Sequence, residues 1–276
     1  MADDEARVNN PNAADSTYVN ESDSGKRRFG RRGRGERNDN AGKPRSFWRE
    51  LPVLLLVALL LSFLLQTFIA RVYLIPSESM EPTLHGCAGC SNDRIVVEKI
   101  GYRFGDPTPG DVIVFLGPDS WSENYKSIRS DNVVVRGLQN IGSVFGVVPP
   151  DENDLVKRVI ATGGQTVECC DDQGRILVDG KPLDEPYVVN DFPFVPGSLT
   201  CQTDVKSGRC FPAVKVPEGN LWMMGDNRNN SADSRFHRGD EYQGTVPVEN
   251  VRGKAIFIVL PPGRMGKISS PDIQSN

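Results

Sequence analysis

Asp154-Leu155-Val156-Lys157-Arg158-Val159-Ile160 is the stretch whose reading decides the fold. It is β-prone, is closed by Gly163-Gly164, and has the length of a single strand. Successive side chains on a strand alternate between its faces, so Lys157 shares one face with Leu155 and Val159. Arg158 takes the other, with Val156 and Ile160. A lysine in a strand ordinarily sits at a solvated edge. Held among apolar side chains instead, its ammonium loses hydration, which lowers its pKa from about 10.4 and makes the amine a proton acceptor.

Working outward from this strand, similar runs recur on both sides. Arg71-Val72-Tyr73-Leu74-Ile75, Asp93 to Lys99 and Asp111 to Leu116 precede it. Asn220 to Met224 and Val251 to Leu260 follow it, the last ended by Pro261-Pro262. Val134, Leu138, Ile141 and Phe145 recur at helical spacing and predict a short amphipathic helix, whose apolar face is expected to cover the sheet, with contact to lipid as the alternative. Between 165 and 218 the chain breaks into short segments with turn signals at Asp179-Gly180 and Pro196-Gly197. Many short strands, few helices and frequent Gly/Pro turns predict a mainly β fold with an antiparallel core at 72–164 and 219–265. Residues 165–218 read as a smaller β-rich inserted lobe, and 266–276 as a flexible tail.

The chain before residue 71 is of another kind. Leu51 to Ala70 carries no charge, and its twenty residues reach the roughly 30 Å of a hydrocarbon core. A single transmembrane helix is expected over 49–71. A cleaved leader would have a shorter apolar region close to the start and a small-x-small pair before Arg71, so an uncut anchor is favoured. Residues 1–48 are acidic first, with Asp3, Asp4, Glu5, Asp15, Glu21 and Asp23, then strongly basic from Lys26 onward. Almost devoid of apolar residues, this arm reads as disordered. Its basic run suits nucleic acid or a membrane flank, and the adjacent span favours the flank. The positive-inside rule then orients the N-terminus to the cytoplasm and everything after about residue 71 outside.

All six cysteines, Cys87, Cys90, Cys169, Cys170, Cys201 and Cys210, lie in the exported part. That suits a compartment where disulfides persist. Cys201 with Cys210 is the favoured pair. Cys87-Ala-Gly-Cys90 resembles half of a zinc site, yet only His85 stands near it as a further ligand, so a disulfide ranks above a metal. Cys169 and Cys170 remain open in their pairing.

The chemistry gathers in two polar stretches. Pro76-Ser77-Glu78-Ser79-Met80-Glu81-Pro82-Thr83-Leu84 puts two hydroxyls at i and i+2 in a proline-stiffened segment, expected to be extended with both serines on one side. A serine needs a base. The histidines, His85 and His237, lie in polar loops without a Gly-x-Ser-x-Gly setting, which leaves Lys157 as the better candidate. Gly225-Asp226-Asn227-Arg228-Asn229-Asn230-Ser231-Ala232-Asp233-Ser234-Arg235, directly after an apolar strand, is denser in hydrogen-bonding groups than an ordinary turn.

Taken together and in this order, Pro76 to Leu84, Lys157-Arg158 and Gly225 to Arg235, following an apolar span, closely resemble the bacterial type I signal peptidases, and most of all their actinobacterial branch. The Asp93 to Lys99 strand matches a further motif of that family, and the likeness runs over roughly 50–262. The resemblance implies a signal-peptidase/LexA-like β fold and an endopeptidase that removes signal peptides from secreted preproteins after small-x-small sites such as Ala-x-Ala. It makes Ser79 the nucleophile and Lys157 the general base. The Ser77 hydroxyl and the Ser79 backbone N–H become the oxyanion hole, Ser231 orients the lysine amine, and Asp233 and Arg235 form a supporting ion pair with Arg158 nearby. It also implies that substrate adds as an extended strand beside Tyr73, Ile75, Pro76 and Met80 on one side and Asp154, Leu155 and Val156 on the other. No metal or organic cofactor is implied. The expected partners are preproteins and the lipid bilayer, with the secretion translocon nearby and no nucleic acid. The chain departs from the commonest family pattern at Cys87 to Cys90 and in the cysteine-bearing lobe. The competing readings are a LexA-like self-cleaving serine–lysine protein, which the span and the lack of a helix-turn-helix disfavour, and a membrane-anchored binding protein without catalysis.

Overall fold

The computed structural model describes residues 47–121, 127, 129–144, 148 and 153–275. The arm expected over 1–48 falls outside them, apart from residues 47 and 48, which begin a helix. That helix, α1, spans Phe47–Phe68. Its Glu50–Phe68 portion is long and apolar enough to cross a membrane, and none of its residues is buried. An apolar helix bare on every side is stable only in an apolar medium. The span ends sooner than 71, because Ala70 already belongs to a strand.

In chain order the remaining elements are β1 (Ala70–Leu74), β2 (Arg94–Glu98), β3 (Val112–Leu116), α2 (Val133–Val144), β4 (Asp154–Thr162), β5 (Thr166–Cys169), β6 (Ile176–Val178), β7 (Lys181–Pro182), β8 (Phe211–Lys215), β9 (Asn220–Met224), β10 (Thr245–Pro247), β11 (Val251–Leu260) and β12 (Gly266–Lys267). One sheet runs β1-β2-β11-β3-β4-β9-β10, with β12 added to β11, and a second runs β7-β6-β5-β8. Every strand pair is antiparallel. The mainly β, antiparallel expectation holds, and the second sheet lies within 165–218.

Both faces of the first sheet are covered at its centre. Val112 and Val114 of β3 pack with Ile95, Val97 and Ala255, while Ile113 and Phe115 pack on the opposite face with Val159, Leu221 and Met223. A strand buried on both sides reads as an unbroken apolar run, which is how β3 reads. Trp222 and Met224 of β9 join Ile160 of β4 to Val167, Ile176 and Phe211 of the second sheet. The lobe is therefore cored together with the first sheet.

Two expectations fail. The tail at 266–276 is packed: β12 pairs with β11, Ile273 is fully buried, its carbonyl accepts from Asp184 N at 3.1 Å, and Gln274 Nε2 donates to Ile160 O at 3.0 Å. Polar composition had suggested a free end, and two isoleucines spaced five apart gave no periodic signal. The apolar face of α2 does not cover the sheet, since Val133, Val134, Leu138 and Ile141 are all exposed. Disulfides join Cys201 to Cys210, Cys87 to Cys90, and the adjacent Cys169 and Cys170 to each other.

Candidate active site

The chain leaves β1 at Leu74 and buries Ile75, then bends at Ser77 into a single 3-10 turn, Glu78–Met80. Ile75 and Met80, both in the core with Tyr73, clamp the turn from either side. Ser77 keeps extended backbone, φ −130° and ψ 159°, but Ser79 lies in the turn, so the segment is not extended throughout. The two hydroxyls nonetheless approach each other, Ser77 Oγ to Ser79 Oγ 3.3 Å.

Lys157 reaches this turn from β4. Its Nζ lies 2.6 Å from Ser79 Oγ. Ile113 of β3 stands opposite it in register, and Leu155 and Val159 flank it on the same face, as the alternation predicts. Only 4% of Lys157 is exposed. Burial lowers its pKa from 10.5 to about 8, although the carboxylates of Asp233 and Asp226 pull the other way. An amine of this pKa is substantially neutral in mildly alkaline water.

The loop after β9 braces both groups. Gly225 sits so close to the Ser79 backbone that a Cβ there would lie 2.4 Å from Ser79 O and 2.3 Å from Ser231 Oγ. Asn227 N donates to Ser79 O at 3.2 Å and Asn227 Nδ2 to Glu78 O at 3.1 Å, while Asn230 Nδ2 donates to Glu78 Oε2 at 3.0 Å. Asp233 accepts from Arg235 Nε and Nη2, each at 2.9 Å, and from Gly225 N at 3.0 Å. Burial alone would raise the Asp233 carboxyl; the Arg235 guanidinium outweighs it and holds the group below the usual carboxylate range. Ser231 Oγ is buried, makes no hydrogen bond to Lys157, and turns its hydroxyl to the Asp233 carboxylate, which it helps hold down.

Arg158 is fully buried on the opposite face of β4 and does not join the Asp233–Arg235 pair. It is bidentate to Asp226, at 2.8 and 2.7 Å, donates to Gly110 O at 2.6 Å and Ser269 O at 3.0 Å, and lies 3.9 Å over the Tyr187 ring. Thr83 Oγ1 donates to the same Asp226 carboxylate at 2.5 Å. One arginine thus ties the end of the nucleophile segment, the polar loop, the tail and the lobe together. A second buried pair, Arg228 with Glu185, repeats the link to the lobe, and Asn190 Nδ2 donates to Asn227 Oδ1 at 2.8 Å.

Ser79 and Lys157 face a cleft of about 380 Å³ lined also by Pro76, Ser77, Leu155, Ala232 and the Cys87-Ala88 backbone turn. Of the expected substrate-binding side chains, Pro76 and Leu155 line it. Tyr73, Ile75 and Met80 are core residues, with Val156 packed beside them, and Asp154 lies 3.5 Å from Arg252. Alternation explains the division, because neighbours in a strand cannot all face one groove. The backbone there remains accessible on one side: β9 pairs with β4 only from Arg158 onward. Sequence reasoning missed Gly225, Asp226, Asn227 and Arg228 as individual braces, although the density of polar groups after β9 signalled the loop. Tyr187 and Glu185 carried no signal at all. His85 Nδ1 lies 2.5 Å from Glu81 Oε1, and His237 stacks on Trp121.

Residues 48–260 match the family described as signal peptidase, peptidase S26. A probable signal peptidase I of Mycobacterium leprae (strain TN) is 53% identical over 248 residues, covering 84% of this chain and 83% of the relative. The signal peptidase I of Mycobacterium tuberculosis (strain ATCC 25618 / H37Rv) is 55% identical over 237 residues, 83% of this chain and 78% of the relative. A probable signal peptidase I-1 of Synechocystis sp. (strain ATCC 27184 / PCC 6803 / Kazusa) is 36% identical over 233 residues, 84% of this chain and 93% of the relative. A signal peptidase I crystal structure from Enterococcus faecalis V583 matches at 24% identity with a TM-score of 0.31, covering 54% of this chain and 97% of that one.

Proposed function

The chain belongs to the peptidase S26 family of signal peptidases and is an endopeptidase that removes signal peptides from preproteins; we propose that it does so with Ser79 as nucleophile and Lys157 as general base. The observation that carries this assignment is the 2.6 Å contact between Ser79 Oγ and a buried Lys157 Nζ.

In this mechanism neutral Lys157 takes the Ser79 hydroxyl proton as Oγ attacks the scissile carbonyl carbon. The oxyanion that forms accepts from Ser77 Oγ–H and the Ser79 backbone N–H. Lys157 then gives its proton to the departing amine, the mature protein leaves, and the signal peptide remains as an ester on Ser79. The amine, neutral again, takes a proton from water as its oxygen attacks the ester, and collapse returns the proton to Ser79. Ser231, buried beside Gly225, makes no bond to Lys157 in the free enzyme and turns its hydroxyl to the lysine amine once Ser79 is acylated, and the Asp233–Arg235 pair fixes the loop that carries it. Arg158 acts one step further away, holding Asp226 and through it Thr83.

The substrate adds as an extended strand between Pro76 and the edge of β4 left open before Arg158, with Leu155 and Ala232 favouring small side chains near the cut. This suits cleavage after small-x-small sites. The α1 helix anchors the enzyme in the lipid bilayer as a single pass, the basic arm stays cytoplasmic, and the catalytic β core with its lobe faces outward near the translocon. Ser79→Ala and Lys157→Ala are each expected to abolish cleavage of a preprotein in detergent, while the double variant His85→Ala/His237→Ala retains it. Full activity in Lys157→Ala would defeat the serine–lysine assignment.

A further inference from the structure

Helix α2 is amphipathic in the inverted sense. Val133, Val134, Leu138 and Ile141 share one side of it, and Arg136, Gln139, Asn140 and Ser143 the other. In a helix packed on a protein core the apolar side would be hidden. Here Val133, Val134, Leu138 and Ile141 are exposed to 80%, 72%, 65% and 59%, while polar Ser143 is the residue turned inward, at 8%. An apolar stripe of this extent has a partner of its own kind.

The position of α2 says which partner. Arg71 Nη2 donates to Ser143 Oγ at 3.3 Å, and Arg71 belongs to β1, which begins two residues after α1 ends. The inward side of α2 is thus tied to the point where the membrane span leaves the bilayer. Other groups mark the same level. Lys99 Nζ donates to Gln66 O at 3.1 Å near the C-terminus of α1, and the Arg103 guanidinium lies 5.5 Å from the Phe68 ring. Beside them Phe104 is 87% exposed. Cations with exposed aromatic and aliphatic side chains at the end of a span are the composition of a membrane–water interface, where anionic headgroups meet the first acyl carbons.

We propose that α2 lies in the plane of the outer leaflet, its Val133, Val134, Leu138 and Ile141 face sunk among the upper acyl chains and its Ser143 end held on the enzyme. It acts as a second, interfacial contact that stops the catalytic core from rotating about α1. The inference rests on α1 being the membrane anchor. The occupant is lipid rather than a second copy of the chain, because α2 is bonded to Arg71, three residues past the end of the span, and Lys99, Arg103 and exposed Phe104 mark the same level.

The test uses the full chain, reconstituted in vesicles of phosphatidylethanolamine and phosphatidylglycerol, as Leu138→Trp and, on the opposite side of the helix, Arg136→Trp. The signal of the unsubstituted chain, with its own Trp48, Trp121 and Trp222, is subtracted. Lipids brominated near the top of the acyl chains are expected to quench the Leu138→Trp signal at least about twofold more than that of Arg136→Trp, with a blue-shifted emission. Equal quenching of the two, or none, in a chain that resists alkaline carbonate extraction overturns the inference alone. So does blue-shifted but unquenched emission accompanied by chemically cross-linked dimers, which would put a second copy on the face. Release of the chain by carbonate defeats the anchor reading, and the inference with it. Preprotein cleavage by both variants shows that they have folded.

Discussion

At the scale of single residues, the site turns on how much it costs to bury one amine. Desolvation lowers the Lys157 pKa from 10.5 to about 8, and only the unprotonated fraction can accept the Ser79 proton. Cleavage by the free enzyme should therefore rise about tenfold per pH unit on the acid side and level off above about 8. A flat kcat/KM profile from pH 6 to 9 would remove the lysine from the role. The same shift enters stability with a definite sign. The folded state binds the proton less tightly than the unfolded chain, so wild-type stability should climb as pH rises from about 8 towards 10.5. Lys157→Met, inactive, should be more stable than wild type at pH 7 by up to about 3 kcal/mol and lose that advantage above pH 10. Melting curves at the two pH values in detergent decide it. The pairing of Ser79 with Lys157 was legible before any coordinates through the resemblance to the signal peptidases, strand alternation adding only that the lysine shares a face with Leu155 and Val159. The bends were not. Whether Ser79 sits in an extended segment or in a 3-10 turn depends on Ile75 and Met80 finding the same core, a long-range packing event with no local signature.

At the scale of elements, β4 has three different surroundings. One edge pairs with β3 from Asp154 through Arg158, and its other edge pairs with β9 only from Arg158 onward, so the half up to Lys157 keeps an edge that β9 does not cover. Its two faces separate the chemistry, with Lys157 towards the cleft and Arg158 towards Asp226 and Tyr187. The strands were read close to their observed bounds because each is a compact apolar run between Gly and Pro. The apolar face of α2 was expected on the sheet, with lipid as the alternative, and it does not cover the sheet, since a helical period reports amphipathicity and not what meets the apolar side. The loop after β9 depends on the lobe through Arg228 and Glu185, both largely buried. Breaking a buried pair strands a charge, so Glu185→Leu should cost about 3–5 kcal/mol, whereas Glu185→Leu combined with Arg228→Met should cost clearly less. Urea midpoints of the two variants measure the difference. A single variant as stable as wild type would mean that the lobe does not support the loop.

For the molecule as a whole, the parts expected to be separate are coupled. The last residues were read as a free end, yet Ser269 supplies a carbonyl to Arg158 and Ile273 closes the core shared by the lobe and the first sheet. Deleting 268–276 should lower stability by about 3 kcal/mol through the loss of Ile268 and Ile273 burial, with slower cleavage as Arg158 loosens. An unchanged urea midpoint would show the tail to be dispensable. Such docking is invisible in sequence because two apolar residues among polar neighbours have no partner until the sheets exist. The direct passage from α1 into β1 has a final consequence. If α1 spans the bilayer as proposed, Lys99 bonded to the carbonyl end of that helix and a five-residue strand of roughly 17 Å before the Glu78–Met80 turn hold the hydroxyl of Ser79 at a set height above it. The enzyme then works as a ruler. Among equally acceptable small-x-small sites it should cut the one that a membrane-embedded substrate presents at that height. Lengthening the polar segment between a signal peptide's apolar stretch and its cut site by about five residues, roughly 17 Å of extended chain, should suppress cleavage in vesicles far more than in detergent. Equal rates in both would leave sequence, not distance, in charge of the choice.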